Sequence, residues 1–247
     1  MKKNILLMLL VLGNILSAEI FVYGPGGPAP VIKELAKQFE DKTGEKVTVI
    51  AGPTANWIDK AKQNADIIFS GSTSMMDGFI KMLPNRLRVE DIQVLNIRRA
   101  GIIVRPNNPK NIKTFNDILK PNINVMVVDG AGQVGLYEDM ALLNADKSAL
   151  TKLRKNIKFY APSSAAAVEK WNSDKTIDAL IIWSHWVYSI GLDKSQFVDL
   201  KSNVIYRSSE AAVTTTSKNK AKAQEFIKYI TSKEAESVWK KYSWEIK

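Results

Sequence analysis

Short apolar runs that break into glycine- and serine-rich loops, each followed by a stretch of helical periodicity, recur along this chain and set its architecture. Residues 19–23 form the first such run, and Gly24-Pro25-Gly26-Gly27-Pro28 interrupts it. Residues 30–42 then carry Val31, Leu35, Ala36 and Phe39 at helical spacing, up to Thr43-Gly44, where glycine supplies a left-handed stop. Further strand-like runs at 46–51 and 65–69 flank a short helix at 57–63, and the latter run breaks into Ser70-Gly71-Ser72-Thr73-Ser74. The same unit returns between about 106 and 200. Strands are expected at 124–128, 158–161 and 179–183, with a turn at Asp129-Gly130-Ala131-Gly132 and helices at 136–143 and 165–172. Strands alternating with helices indicate βαβ units and a largely parallel sheet. Two extended stretches, 97–105 and 204–214, cross between the blocks, and helices at 220–231 and 234–242 close the chain. The pattern predicts an α/β fold of two lobes, each a mainly parallel sheet flanked by helices, joined by two extended crossings. Lobe one takes residues 19–103 and 206–247, lobe two residues 104–205. A ligand then lies in the cleft where the loops after the parallel strands converge.

The first eighteen residues stand apart from this pattern. Lys2 and Lys3 form a basic start, Ile5 to Leu12 is unbroken and apolar, and Leu16-Ser17-Ala18 ends in small residues. That is the grammar of a cleaved secretory signal, so cleavage after Ala18 and a periplasmic location are expected. The apolar run is too short to span a bilayer, which needs roughly 20 residues. The 247 residues include no Cys and one His, which excludes disulfides, thiolate metal sites, cysteine nucleophiles and multi-histidine metal centres. The formal charge of +10 favours anionic partners. Its lysines, such as Lys33, Lys37 and Lys42, are dispersed along helices, which with export argues against nucleic acid.

The small-residue loops carry the chemistry. Between a strand end and a helix start, backbone N–H groups lack intrahelical partners and the helix dipole favours an anion. Gly26, Gly27, Gly130 and Gly132 let a ligand approach the backbone, and Ser70, Ser72, Ser163 and Ser164 add hydroxyl donors. Arg207 and Glu210 lie on the returning crossing at the cleft border, where an arginine offers a forked donor to carboxylate or phosphate. The loops lack a third glycine in register for a dinucleotide fingerprint, a Walker lysine and a nucleophile elbow. His185 and Trp57 read first as packing residues, with a place at the cleft as the alternative. No acid–base set or nucleophile is legible, so no catalytic residue, cofactor or metal is expected.

Several segments together resemble one family. They are Tyr23-Gly24-Pro25-Gly26-Gly27-Pro28, Lys42-Thr43-Gly44-Glu45-Lys46-Val47, Gly52-Pro53-Thr54-Ala55-Asn56-Trp57 and Ala65-Asp66-Ile67-Ile68-Phe69. Further on come the run from Asp129 to Met140, Asp178-Ala179-Leu180-Ile181-Ile182-Trp183 and the closing Ser232-Lys233-Glu234-Ala235. The chain resembles the type 2 periplasmic solute-binding proteins, and within them the accessory colonization factor family with its related periplasmic antigen. The resemblance implies a two-lobed fold, a small oxyanion, carboxylate or phosphorylated-acid ligand, a homodimer, and delivery to an ABC transporter membrane component. By their place in the matched segments, Thr54 and Gln133 join the candidate ligand-binding residues. The rival expectation is a periplasmic or surface colonisation antigen acting through a protein or glycan partner.

Overall fold

A computed structural model of the protein describes residues 19–130 and 132–245; the expected signal segment, 1–18, and Ala131 of the glycine turn lie outside them. Among the described residues there are nine strands: β1 (Ile20–Gly24), β2 (Val47–Ala51), β3 (Ile67–Ser70), β4 (Gln93–Val104), β5 (Val125–Val128), β6 (Ile157–Ala161), β7 (Ala179–Trp183), β8 (Gln196–Val198) and β9 (Tyr206–Val213). The α-helices are α1 (Ala29–Thr43), α2 (Ile58–Asn64), α3 (Thr73–Met82), α4 (Leu136–Leu142), α5 (Lys147–Asn156), α6 (Ser164–Ser173), α7 (Trp186–Ile190), α8 (Lys220–Ile230) and α9 (Glu236–Lys241). Sequence reasoning anticipated most of these; it left α3 unassigned behind the serine loop, and it passed over α5, α7 and β8. α5 has weak apolar content, and α7 and β8 are too short to show a period.

The strands join in the order β2-β1-β3-β9-β4-β7-β5-β6, with β8 added to β4. β1 runs parallel to β2 and β3, and β5 runs parallel to β6 and β7. The two crossings are antiparallel to every strand they touch, including each other. Each half is thus mainly parallel, as expected, while the antiparallel crossings make the joined sheet mixed. The reason is topological: the chain leaves the first half along β4 and returns along β9, so both run against the strands they border. β4 is long enough, at twelve residues, to serve both halves: Gln93–Arg99 pairs with β9, and Ala100–Val104 pairs with β7.

Strand periodicity divides the core. In β1, Ile20 and Val22 face α1, α8 and α9, whereas Phe21 and Tyr23 face the cluster of Trp57, Met76 and Phe79 under α2 and α3. β5 repeats the division: Val125 and Val127 pack with Leu136, Met140 and Leu153, and Met126 and Val128 pack with Trp171 and Val187. Strands buried on both faces explain why these segments read as continuous apolar runs. Emptying a core position, as in Leu35→Ala on the buried face of α1, is expected to cost about 2–5 kcal/mol. Helices thus cover both faces of each half, and the loops at the strand ends between the halves are left to line a cleft. Among the described residues no helix is long and apolar enough to cross a membrane.

Candidate functional site

A cavity of about 340 Å³ opens between the two halves of the sheet. From the first half it is lined by the Pro25–Pro28 loop, Gly52-Pro53-Thr54, Gly71 and Met75. The second half contributes Gly130, Gln133, Ser163, Ser164, Ala165, Trp183 and Trp186, and the crossing strand β4 contributes Arg98. Three helices begin at this rim. α1 starts behind Gly27-Pro28, α3 is capped by the Ser72 hydroxyl accepting from Met75 N–H, and α6 by the Ser163 hydroxyl accepting from Ala166 N–H. Their N-terminal amides and dipoles favour negative charge in the cleft.

Arg98 is the electrostatic centre. Its side chain is buried, yet among the described residues it forms no ion pair with a carboxylate. The guanidinium lies over Trp183, 4.5 Å from the ring centre, and one Nη donates to the carbonyl of Gly71. A methyl group at Gly71 would come within 3.1 Å of Nη2, and one at Gly27 within 3.5 Å of Nη1, so these loops are glycine where the cation must be seated. Burial, then the positive charge of Arg207, pushes the Arg98 guanidinium down to about 9, which leaves it cationic at neutral pH. The surroundings hold further polar atoms without partners: Arg98 Nε, Gln133 Oε1 and Trp183 Nε1, with both ring nitrogens of His185 behind them. Buried polar groups are normally satisfied, and a cluster of exceptions at one cleft marks a place built for a polar guest. The donors outnumber the acceptors, so the guest that fits is an anion.

Seven of the sequence-derived candidates line this cavity: Gly26, Gly27, Thr54, Gly130, Gln133, Ser163 and Ser164. The other five sit differently. Ser70 is buried at the end of β3 with its hydroxyl unpartnered, one residue from the cleft. Ser72 is buried as the α3 cap, and Ser163 caps α6, which leaves Ser164 to accept a hydrogen bond from Gln133 Nε2. Gly132 and Arg207 line an adjoining cavity of about 140 Å³ that shares Trp183. Arg207 is half-exposed and pairs with Asp139 at 2.8 Å, so it is not the buried cation of the cleft. Glu210 accepts from Thr73 at 2.5 Å and Ser208 at 2.7 Å, which ties the start of α3 to β9. Trp57 is core, as expected, and its indole N–H holds the Gly52 carbonyl at 3.2 Å. His185 is buried and packed against aromatics; burial, then Arg98, holds its imidazole well below the usual histidine range, so it is neutral.

Sequence reasoning missed Arg98 and the apolar wall of Met75, Trp183 and Trp186. Part of the signal was available, because Arg98, like Arg207, is an arginine in a stretch read as a crossing; that the two sit opposite each other is set by the register.

Comparison with known proteins agrees with this geometry. The family model for bacterial extracellular solute-binding proteins matches residues 20–245. Among solved structures, the chain is similar to PEB3 from Campylobacter jejuni, with 32% identity over 92% of this chain and 100% of that one and a TM-score of 0.83. L-phospholactate-bound PEB3 matches at the same identity and coverage with a TM-score of 0.84. The sulfate-binding protein SubI from Mycobacterium tuberculosis shares the fold at 17% identity, over 92% of this chain and 86% of that one, with a TM-score of 0.72. No curated protein matches.

Proposed function

The chain belongs to the bacterial extracellular solute-binding proteins, and from that premise we propose that its cleft captures a small anion: an oxyanion, a carboxylate or a phosphorylated acid. One observation carries this reading. Arg98 is a buried cation at the cleft with no acidic side chain to balance it, and an anionic guest supplies the missing charge. The glycine loops and three helix N-termini around it add backbone donors aimed at the same space. A solved relative at 32% identity holds L-phospholactate, which supports the phosphorylated-acid end of this range.

The remaining parts of the reading follow. Residues 19–103 with 206–247, and residues 104–205, act as two lobes that close on the anion by a hinge at β4 and β9, driven by contacts to both. The chain is exported, processed after Ala18, and delivers its ligand to an ABC transporter membrane component, as a monomer or homodimer. Within the family it sits with the accessory colonization factor branch. The cleft works by binding and release, with no chemical step. Native mass spectrometry of protein purified directly from the exported fraction tests the reading. A retained small acid or oxyanion is expected; a retained neutral sugar or peptide would overturn it.

A further inference from the structure

After α9 the backbone turns at Ser243, in the left-handed region with φ 57°, and runs back across the molecule. The N–H of Glu245 donates to the carbonyl of Ile97 at 3.0 Å in an antiparallel bridge, which lays the tail along β4. Ser184, just past β7, donates its hydroxyl to the carbonyl of Ser243 at 2.8 Å. Arg99 pairs with Glu245 at 3.1 Å. The tail thus grips the end of the second half, the crossing strand and, through α9, the first half.

What the tail brings to this junction is Trp244. Its ring is buried, meets Trp239 edge-on at 5.1 Å, and stacks on His185 at 5.1 Å with an interplanar angle of 19°. The Arg98 guanidinium carbon lies 5.8 Å from the Trp244 ring and 4.5 Å from Trp183. Two indoles therefore flank the cation, and the neutral imidazole stacked on one of them adds no second charge. Trp244 itself does not line the cavity. Among the described residues Arg98 has no acidic partner to fix its long side chain, and it donates a hydrogen bond to the carbonyl of Gly71. Its orientation is left to these rings.

Resting on the anion reading above, we propose that the tail Ser243–Glu245 is a working part of the binding site, with Trp244 as a positioning residue that holds Arg98 ready for the ligand. Without that ring the charge remains, but ligand binding must first order the side chain. Immobilising one such side chain weakens binding roughly 3- to 10-fold.

The test compares wild type, Trp244→Phe and Trp244→Leu in two readouts. One is calorimetric titration with L-phospholactate and with sulfate. The other is the Arg98 Nε–H resonance of ¹⁵N-labelled, ligand-free protein, assigned by its loss in Arg98→Met. Trp244→Phe is expected to stay within about twofold of wild type, because a ring persists, and Trp244→Leu to bind roughly 3- to 10-fold more weakly. The Arg98 signal, slowly exchanging in wild type and Trp244→Phe, broadens or exchanges in Trp244→Leu. If Trp244→Leu does not fold, Ser184→Ala, which releases the tail from the second half without removing a ring, is expected to move both readouts in the same direction. Wild-type affinity and an unchanged Arg98 signal in these variants would overturn the proposal. So would losses in Phe and Leu that merely track their unfolding stability. If wild type takes up neither probe, the anion reading fails by itself, and the Arg98 resonance still decides whether Trp244 positions the guanidinium.

Discussion

Replacing Arg98 with methionine separates a residue kept for binding from one kept for folding. The shift of its guanidinium from 12.5 to about 9 corresponds to on the order of 5 kcal/mol of unfavourable burial. Methionine fills a similar volume and removes that cost. It also gives up the contact over Trp183, about 2 kcal/mol for a desolvated cation–π pair, and the hydrogen bond to Gly71, about 1.5–3 kcal/mol. These terms nearly cancel, so ligand-free Arg98→Met is expected to unfold within about 2 kcal/mol of wild type, on the more stable side. Binding behaves differently. Losing the buried partner of an anion costs about 2–5 kcal/mol, or roughly 30-fold or more in affinity. Urea unfolding without ligand, beside calorimetric titration with L-phospholactate, measures both quantities. A ligand-free variant destabilised by more than about 3 kcal/mol with its affinity intact would refute the reasoning, because Arg98 would then be a structural cation.

Gly71→Ala places a methyl 3.1 Å from Arg98 Nη2, so anion affinity is expected to fall about tenfold while the unfolding midpoint moves little; unchanged affinity would mean the guanidinium has room to shift. Arg207→Ala removes only a half-exposed ion pair with Asp139, so it is expected to change stability by less than about 1 kcal/mol and affinity far less than Arg98→Met does; an equal loss in titration would return Arg207 to the site. His185 is neutral when folded, while in the unfolded chain it takes up a proton below its ordinary value of 6.5. Its contribution is therefore complete above that pH and is lost as pH falls below it, by up to about 1.4 kcal/mol per pH unit. Wild type is expected to lose urea stability between pH 7.5 and 5.5 more steeply than His185→Phe; parallel curves would show that the imidazole stays exposed to protons when folded.

The strand–loop–helix units were legible because each apolar run is short and breaks into a loop containing glycine or serine, and the inner ones are buried on both faces. The loop residues of the cleft followed from the same grammar: Gly26, Gly27, Ser163 and Ser164 precede helices in sequence and line the cavity in space. Side-chain assignments on the crossings were not legible. Arg98 and Arg99 are neighbours on one strand and point to opposite faces, one buried over Trp183, the other paired with Glu245 and Asp199. Which of them enters the cleft depends on β4 being shared by both halves and on a tail more than 140 residues later in the chain. The direction of the crossings was not legible for a related reason, since it follows from chain routing and not from composition.

In the reading proposed above, the cleft is built for an anion and Arg98 receives it. Thermal or urea unfolding of wild type and Arg98→Met, at constant ionic strength with sulfate, molybdate, citrate, L-phospholactate and a neutral sugar, tests it most directly. At one hundred times its Kd for wild type, a cognate anion is expected to stabilise wild type by about 2.7 kcal/mol and Arg98→Met by less than about 1 kcal/mol. Stabilisation by the neutral sugar alone, or equal stabilisation of both proteins by the same anion, would contradict it.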